Sequence, residues 1–120
     1  AVGQDRPPVT PELKLARQLD LARSPDYLIS LARVDGEPAA VAGVFFEERA
    51  AYLAYAVTLP AQRRRGCQAA LLDHRVRESA RRGCNLIVTD TLVGVESQRN
   101  VERAGLRCAF SVGWWCRARA

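Results

Sequence analysis

The stretch TLPAQRRRGCQAALL, residues 58 to 72, sets Arg63, Arg64, Arg65 and Gly66 between an apolar β-type run and a helical run. Such a junction can hold an anion. The first amides of a helix lack intrahelical acceptors, and the helix dipole contributes roughly half a positive charge at the same place. Glycine lets the backbone approach a phosphate with no side chain between them, and arginines add paired donors. A diphosphate suits that chemistry. Two other uses of the same residues compete with it: a solvated basic turn and a patch for nucleic acid. No nucleic-acid partner is expected, because no aromatic residues interleave with the arginines and Asp73 and Glu78 dilute the basic helix face.

Other residues with reactive side chains carry less. Cys67 stands at a helix start beside arginines, the setting of an acidified thiol, but no histidine base is identifiable for it. His74, between Asp73 and Arg75, reads as a surface histidine. Cys67, Cys84, Cys108 and Cys116 are far apart in sequence and form no Cys-x-x-Cys pair, so no metal is expected and reduced, mostly buried thiols are.

The elements that must position the loop are read from periodicity. Residues 1–9 form a loose lead-in with Gly3 and Pro7-Pro8, ahead of a single domain over 10–120. Thr10 as N-cap and Pro11 at the first position start a helix whose Leu15, Ala16, Leu19 and Ala22 face the core, and Ser24-Pro25 ends it. YLISLARV, AAVAGVFF and AYLAYAVTL read as three antiparallel strands in a meander, reversed at Asp35-Gly36 and at EERA. Pro60 stops the third strand. A helix then runs from about Gly66 to Arg82, with Ala69, Leu72, Val76 and Ala80 on its core face, Asp73/Arg77 and Glu78/Arg82 as i,i+4 pairs, and Gly83 as its stop. NLIVTDTL reads as a central strand covered on both faces. A short helix from about Glu96 to Ala104 and a last strand in LRCAFSVGWWCR complete the order, with one of Trp114 and Trp115 in the core and the other at a pocket or a dimer seam. The expected fold class is α/β, in the form of a mixed α+β sheet: an antiparallel meander plus a β-α-β crossover, with helices on the sheet.

Composition bounds these expectations. A chain of 120 residues with 48% hydrophobic and 26% charged residues is ordinary globular material for one core. No apolar run reaches the length of a membrane span and no signal peptide is evident, so a cytoplasmic location with no membrane partner is expected. The net charge of +5 and a pI near 9.5 favour an anionic partner without naming it.

With these elements in place, Pro60 to Leu72 resembles the acetyl-CoA signature of the GNAT superfamily of N-acetyltransferases, Gln/Arg-x-x-Gly-x-Gly/Ala. Arg63 and Gly66 match its first two fixed positions, and Gln68 stands where a second glycine or alanine is usual. GVESQRNVERAGLR is similar to the family's downstream segment. Ser97 and Gly105 are in register there, Leu106 replaces a phenylalanine, and Gly94 and Val101 replace the usual asparagine and tyrosine. The resemblance implies a GNAT-like fold lacking the family's amino-terminal strand. It also implies acetyl-CoA as co-substrate, held by Arg63, Arg64, Arg65, Gly66, Cys67, Gln68, Ala69 and Ser97 and by the splayed strand end at Val57, Thr58 and Leu59. Ser97 serves equally as an N-cap, and Asn100 as a stand-in for the missing asparagine or as a solvated residue.

The implied reaction is direct transfer of an acetyl group to a primary amine of a small molecule or peptide, carried mainly by positioning and carbonyl polarisation. The glutamate that family members often place on the third strand is missing, so Glu47, Glu48 or Asp90 is the candidate base, with Tyr55 or Tyr52 as acid. The alternative is a non-catalytic module that binds CoA or mediates assembly. Edge strands left uncovered would favour a homodimer.

Overall fold

Asp35 and Gly36, with φ of 51° and 81°, form the two-residue reversal between β1 (Tyr27–Val34) and β2 (Glu37–Glu47). Two left-handed residues in succession give the turn whose twist matches that of the flanking strands. A second reversal through Glu48 (φ 51°) and Arg49 leads into β3 (Ala50–Thr58), and all three strands pair antiparallel as the sequence predicts. In the computed structural model residues 10–118 are described, so the lead-in expected over 1–9 lies outside the described residues.

Beyond β3 a 3-10 turn at Pro60–Gln62 and the arginine loop enter α2 (Cys67–Arg81), and the chain returns to β4 (Leu86–Val88). β4 runs parallel to β3, with Ala50, Ala51 and Tyr52 opposite Leu86, Ile87 and Val88. This is the expected crossover. The sheet order is β1-β2-β3-β4. Small side chains let α2 lie close to the sheet: Cys67 and Leu71 pack on Ala39, Ala40 and Ala42, with Ala32 and Val34 at the margin. Gly83 (φ 82°) follows the helix as its stop, and the Asp73/Arg77 and Glu78/Arg82 pairs form.

Several expectations are corrected. The buried face of α2 is Cys67, Leu71, Leu72, Arg75 and Ser79, while Ala69 and Ala80 are exposed and Val76 is half-buried. The helix turns its i, i+4 row toward the sheet, because Arg75 finds acceptors there. β4 is a three-residue strand at the sheet edge with Leu86 and Val88 exposed, not a central strand covered on both faces. In α1 (Pro11–Arg23), Thr10 caps Leu13 N at 3.2 Å as expected, yet no residue is buried and Leu15 and Leu19 face outward. That helix rests mainly on β1, so its apolar row meets no second layer among the described residues.

By its contacts the chain groups into two compact units, through Asp90 and from Thr91. In the second unit α3 (Glu96–Arg103) forms, but LRCAFSVGWWCR makes no strand over its described residues. A β-prone segment becomes a strand only where a partner supplies its ladder. Trp114 and Trp115 are both almost fully exposed, so neither is a core residue. Cys67 is buried and Cys84 half-buried, whereas Cys108 and Cys116 are exposed, against the expectation of mostly buried thiols.

Candidate active site

The arginine loop has the backbone that an anion site requires. Arg64 (φ 63°) and Gly66 (φ 77°) are both left-handed, and Gly66 is the N-cap of α2. Turns of this kind direct successive amides into one concavity. Among the described residues, the amides of Arg64, Arg65, Gly66, Cys67, Gln68 and Ala69 donate to no backbone carbonyl, and the helical ladder begins with Ala70 N to Gly66 O at 3.0 Å. A Cβ built on Gly66 would meet nothing within 4 Å, so the glycine answers to its φ and to open space before it. Arg63 and Arg64 take part in no ion pair among the described residues. Arg65 leans away, 3.8 Å from Asp35 and hydrogen-bonded to Gln62 Oε1 at 3.2 Å.

Gln68, the departure from the acetyl-CoA signature, does not crowd the loop. Its Nε2 donates to Thr58 Oγ1 at 2.5 Å and ties the start of α2 to the end of β3. Leu59 N donates to Ala39 O at 2.8 Å, which fixes the other side of the junction. Cys67 points inward, 6% exposed, so its thiol is core material with no access to a substrate.

The edge of β3 beside this loop is open. Pairing with β4 stops at Tyr52, and β3 continues from Leu53 to Thr58 with no β4 partner. Thr89 Oγ1 donates to Leu53 O at 2.9 Å and closes the ladder there. On the β2 side the register slips: Gly43 pairs with Tyr55 and Val44 with Leu53, which leaves Ala54 unopposed. This is a β-bulge, the device that re-aims backbone groups next to a site. Its shape demands glycine at 43, because a Cβ there would fall inside contact distance of Tyr27 Oη and 2.8 Å from Tyr55 Cε1. Val57 and Leu59 are more than half exposed along this edge.

Of the base candidates, Asp90 is the one that the strand pairing brings to the open edge, where the acid candidate Tyr55 also stands. Asp90 follows β4 by two residues, and Tyr52 Oη donates to its Oδ1 at 2.5 Å. That hydrogen bond, reinforced by burial, raises the Tyr52 pKa above the usual phenol value. Tyr55 donates to Gln18 Oε1 of α1 at 3.2 Å, and burial raises its pKa too. Burial first and then Tyr55 push Tyr27 up to about 12. Glu47 and Glu48 lie at the β2–β3 reversal, at the opposite end of β3 from Thr58. Nine strand residues at about 3.3 Å each separate them from the anion loop.

Ser97 is the second residue of α3, and Val95 rather than Ser97 holds the N-cap position, with no side-chain cap. Gln98 Oε1 accepts from Gly94 N at 2.7 Å, and Asn100 Oδ1 accepts from Arg103 Nη1 at 3.1 Å. Among the described residues no three His, Cys, Asp or Glu side chains cluster as a metal site would need. The sequence reading missed Arg75, a buried arginine whose guanidinium reaches the bulge. Its one signal was the spacing of Cys67, Leu71, Arg75 and Ser79 at strict intervals of four.

Comparison with solved structures finds the same fold at low identity. The aminoglycoside N-acetyltransferase AAC(6')-Iy, in complex with the bisubstrate analog CoA-S-monomethyl-acetylneamine, superposes with a TM-score of 0.73 at 20% identity, over 95% of this chain and 84% of that one. Glucosamine-6-phosphate N-acetyltransferase from Arabidopsis thaliana gives 0.70 at 17% identity, over 92% and 81%. A transcriptional regulator from Bacillus halodurans C-125 gives 0.78 at 17% identity, over 89% and 77%. No curated protein matches the chain. The family profile described as acetyltransferase (GNAT) family matches residues 3–105, which takes in the meander, the arginine loop, α2, β4 and α3. The chain belongs to the GNAT family of acetyltransferases.

Proposed function

We propose that the protein transfers the acetyl group of acetyl-CoA to a primary amine of a small molecule by direct attack. The observation that carries this reading is one continuous feature: six amides without backbone partners at 64–69, leading onto the unpaired β3 edge that runs back through Thr58 to the bulge at Ala54. The first part suits a diphosphate, with Arg63 and Arg64 as added cations. The second offers main-chain groups to an extended pantetheine arm, in the manner of an added strand.

In the transfer, the amine nitrogen bonds to the acetyl carbonyl carbon, the carbon–sulfur bond breaks, the ammonium loses a proton and the thiolate gains one. Asp90, on the acetyl side of the bulge, is the base, acting directly or through one water. Tyr52 stays protonated and orients its carboxylate. Tyr55, on the side nearer the loop and also held protonated, supplies the proton to the thiolate. An amino sugar or aminoglycoside is the first acceptor class to try, by analogy with the named relatives. Amine-dependent thiol release from acetyl-CoA, measured across a panel of such amines, tests the reading. Asp90→Asn is expected to lower kcat by about 10²- to 10⁴-fold. Acetyl-CoA binding with no release from any amine would overturn it in favour of a CoA-binding module.

A further inference from the structure

On the α2 side of the sheet a guanidinium is buried where no carboxylate pairs with it. Arg75 is 5% exposed and takes part in no ion pair among the described residues. Its Nε donates to Leu71 O at 3.3 Å, one turn back along α2. Its Nη1 donates to Gly43 O at 3.1 Å and to Tyr55 O at 3.4 Å. Gly43 and Tyr55 are the register pair that borders the slip around Ala54.

Burying a charge is costly unless hydrogen bonds compensate it, and an apolar side chain would pack a helix on this alanine-lined sheet at no such cost. The compensation lies in the carbonyls. A bulge breaks the regular ladder and leaves acceptors with weakened or missing partners, and a buried acceptor without a donor is itself destabilising. One nitrogen of Arg75 bridges the two strands at that break. Burial pulls its pKa below the ordinary arginine value.

We propose that Arg75 is a positioning residue for acetyl transfer: by pinning Gly43 O and Tyr55 O, it fixes the bulge that presents the β3 edge from Leu53 to Thr58 to the thioester arm. This rests on the function proposed above. The anion loop has its own anchors, in Gln68 to Thr58 at the far end of the edge and in Leu59 to Ala39, and neither involves the bulge that Arg75 pins. Loss of Arg75 therefore disturbs the reacting end of the cofactor and spares its diphosphate end.

Arg75→Met and Arg75→Lys test this, with hydrogen exchange in the presence and absence of acetyl-CoA alongside steady-state kinetics. In the parent, acetyl-CoA is expected to protect amides both at 53–58 and at 64–69. In Arg75→Met the protection at 53–58 disappears and that at 64–69 remains. The kcat falls by about 10²-fold, the effect of an ångström-scale misplacement, while KM for acetyl-CoA changes less than about threefold. Arg75→Lys, which keeps the charge and one donor group, recovers about tenfold of that loss. Equal protection of 53–58 in parent and Arg75→Met, or absence of that protection in the parent, overturns the proposal. So does joint loss of protection at both segments in a folded variant. If Arg75→Met fails to fold, Arg75→Lys decides: about tenfold lower kcat at unchanged KM supports the assignment, and parental kcat overturns it. A parent that turns over no amine removes the acetyl-transfer reading alone, and the exchange pattern still decides whether Arg75 shapes the edge.

Discussion

Gly66 answers two demands with one residue, a left-handed backbone at the N-cap of α2 and open space in front of the amides that follow. The two demands can be separated by substitution. Gly66→Ala adds a methyl that meets nothing within 4 Å, so its cost is that of a positive φ, about 1 kcal/mol of stability, with acetyl-CoA affinity changed only a few-fold. Gly66→Glu brings a carboxylate to the amides proposed to hold a phosphate, and calorimetric titration should show at least a tenfold loss of affinity. Equal affinity in both variants would count against the anion loop. At this scale the loop was legible, because arginine, glycine and a helix start are local signals. The contact that sets Arg65 apart from its neighbours was not legible, since Asp35 comes from the β1–β2 turn, 30 residues earlier. Arg75 left only its interval-of-four spacing as a signal for a related reason: its acceptors are carbonyls beside a register slip that no side-chain pattern announces.

Among the elements, α2 ties the site to the sheet, and its carboxyl-terminal turn carries a titratable lock. Glu78 accepts from Arg81 and Arg82, and these partners, Arg81 first, hold its carboxyl down at about 2. A lowered folded-state pKa stabilises the fold above the ordinary carboxylate value and loses that contribution as pH falls through about 2. Melting temperature recorded from pH 5 down to pH 2 should therefore drop more steeply in the parent than in Glu78→Gln, and parallel curves would mean that the exposed ends of these pairs do no work. Element order as far as α3, the Thr10 cap, both reversals of the meander and the stop at Gly83 were read correctly from sequence, because Thr10, Asp35-Gly36 and Gly83 act within a few residues of themselves. The errors fall where partners decide. The apolar run at Leu86 became a short edge strand, and the run ending in Trp114-Trp115 no strand at all over its described residues. The buried row of α2 was displaced from Ala69 and Ala80 to Arg75 and Ser79. Hydropathy ranks alanine above arginine for a core, and only the bulge across the interface reverses that order.

For the whole molecule, a net charge of +5 gives the chain a field that attracts an anionic cofactor before any contact forms. Two contributions to acetyl-CoA affinity then respond differently to salt. The long-range part is screened, since the Debye length falls from about 10 Å at 0.1 M to about 3 Å at 1 M, whereas hydrogen bonds from the 64–69 amides act at contact distance and are screened less. Affinity should fall as salt rises but level off at a finite value. Arg63→Ala and Arg64→Ala remove the two loop cations that have no acidic partner among the described residues, so each should lower affinity at 50 mM salt and flatten the salt dependence. Arg17→Ala, on the exposed surface of α1, changes the net charge by the same amount and should leave the slope near that of the parent. The readout can be thermal: at one hundred times Kd, a ligand that binds only the folded state adds about 2.7 kcal/mol of stability, roughly 10 °C for a chain of this length. Equal flattening by Arg17→Ala would assign the attraction to net charge rather than to the loop, and a shift that vanishes at high salt would leave no part for the amides.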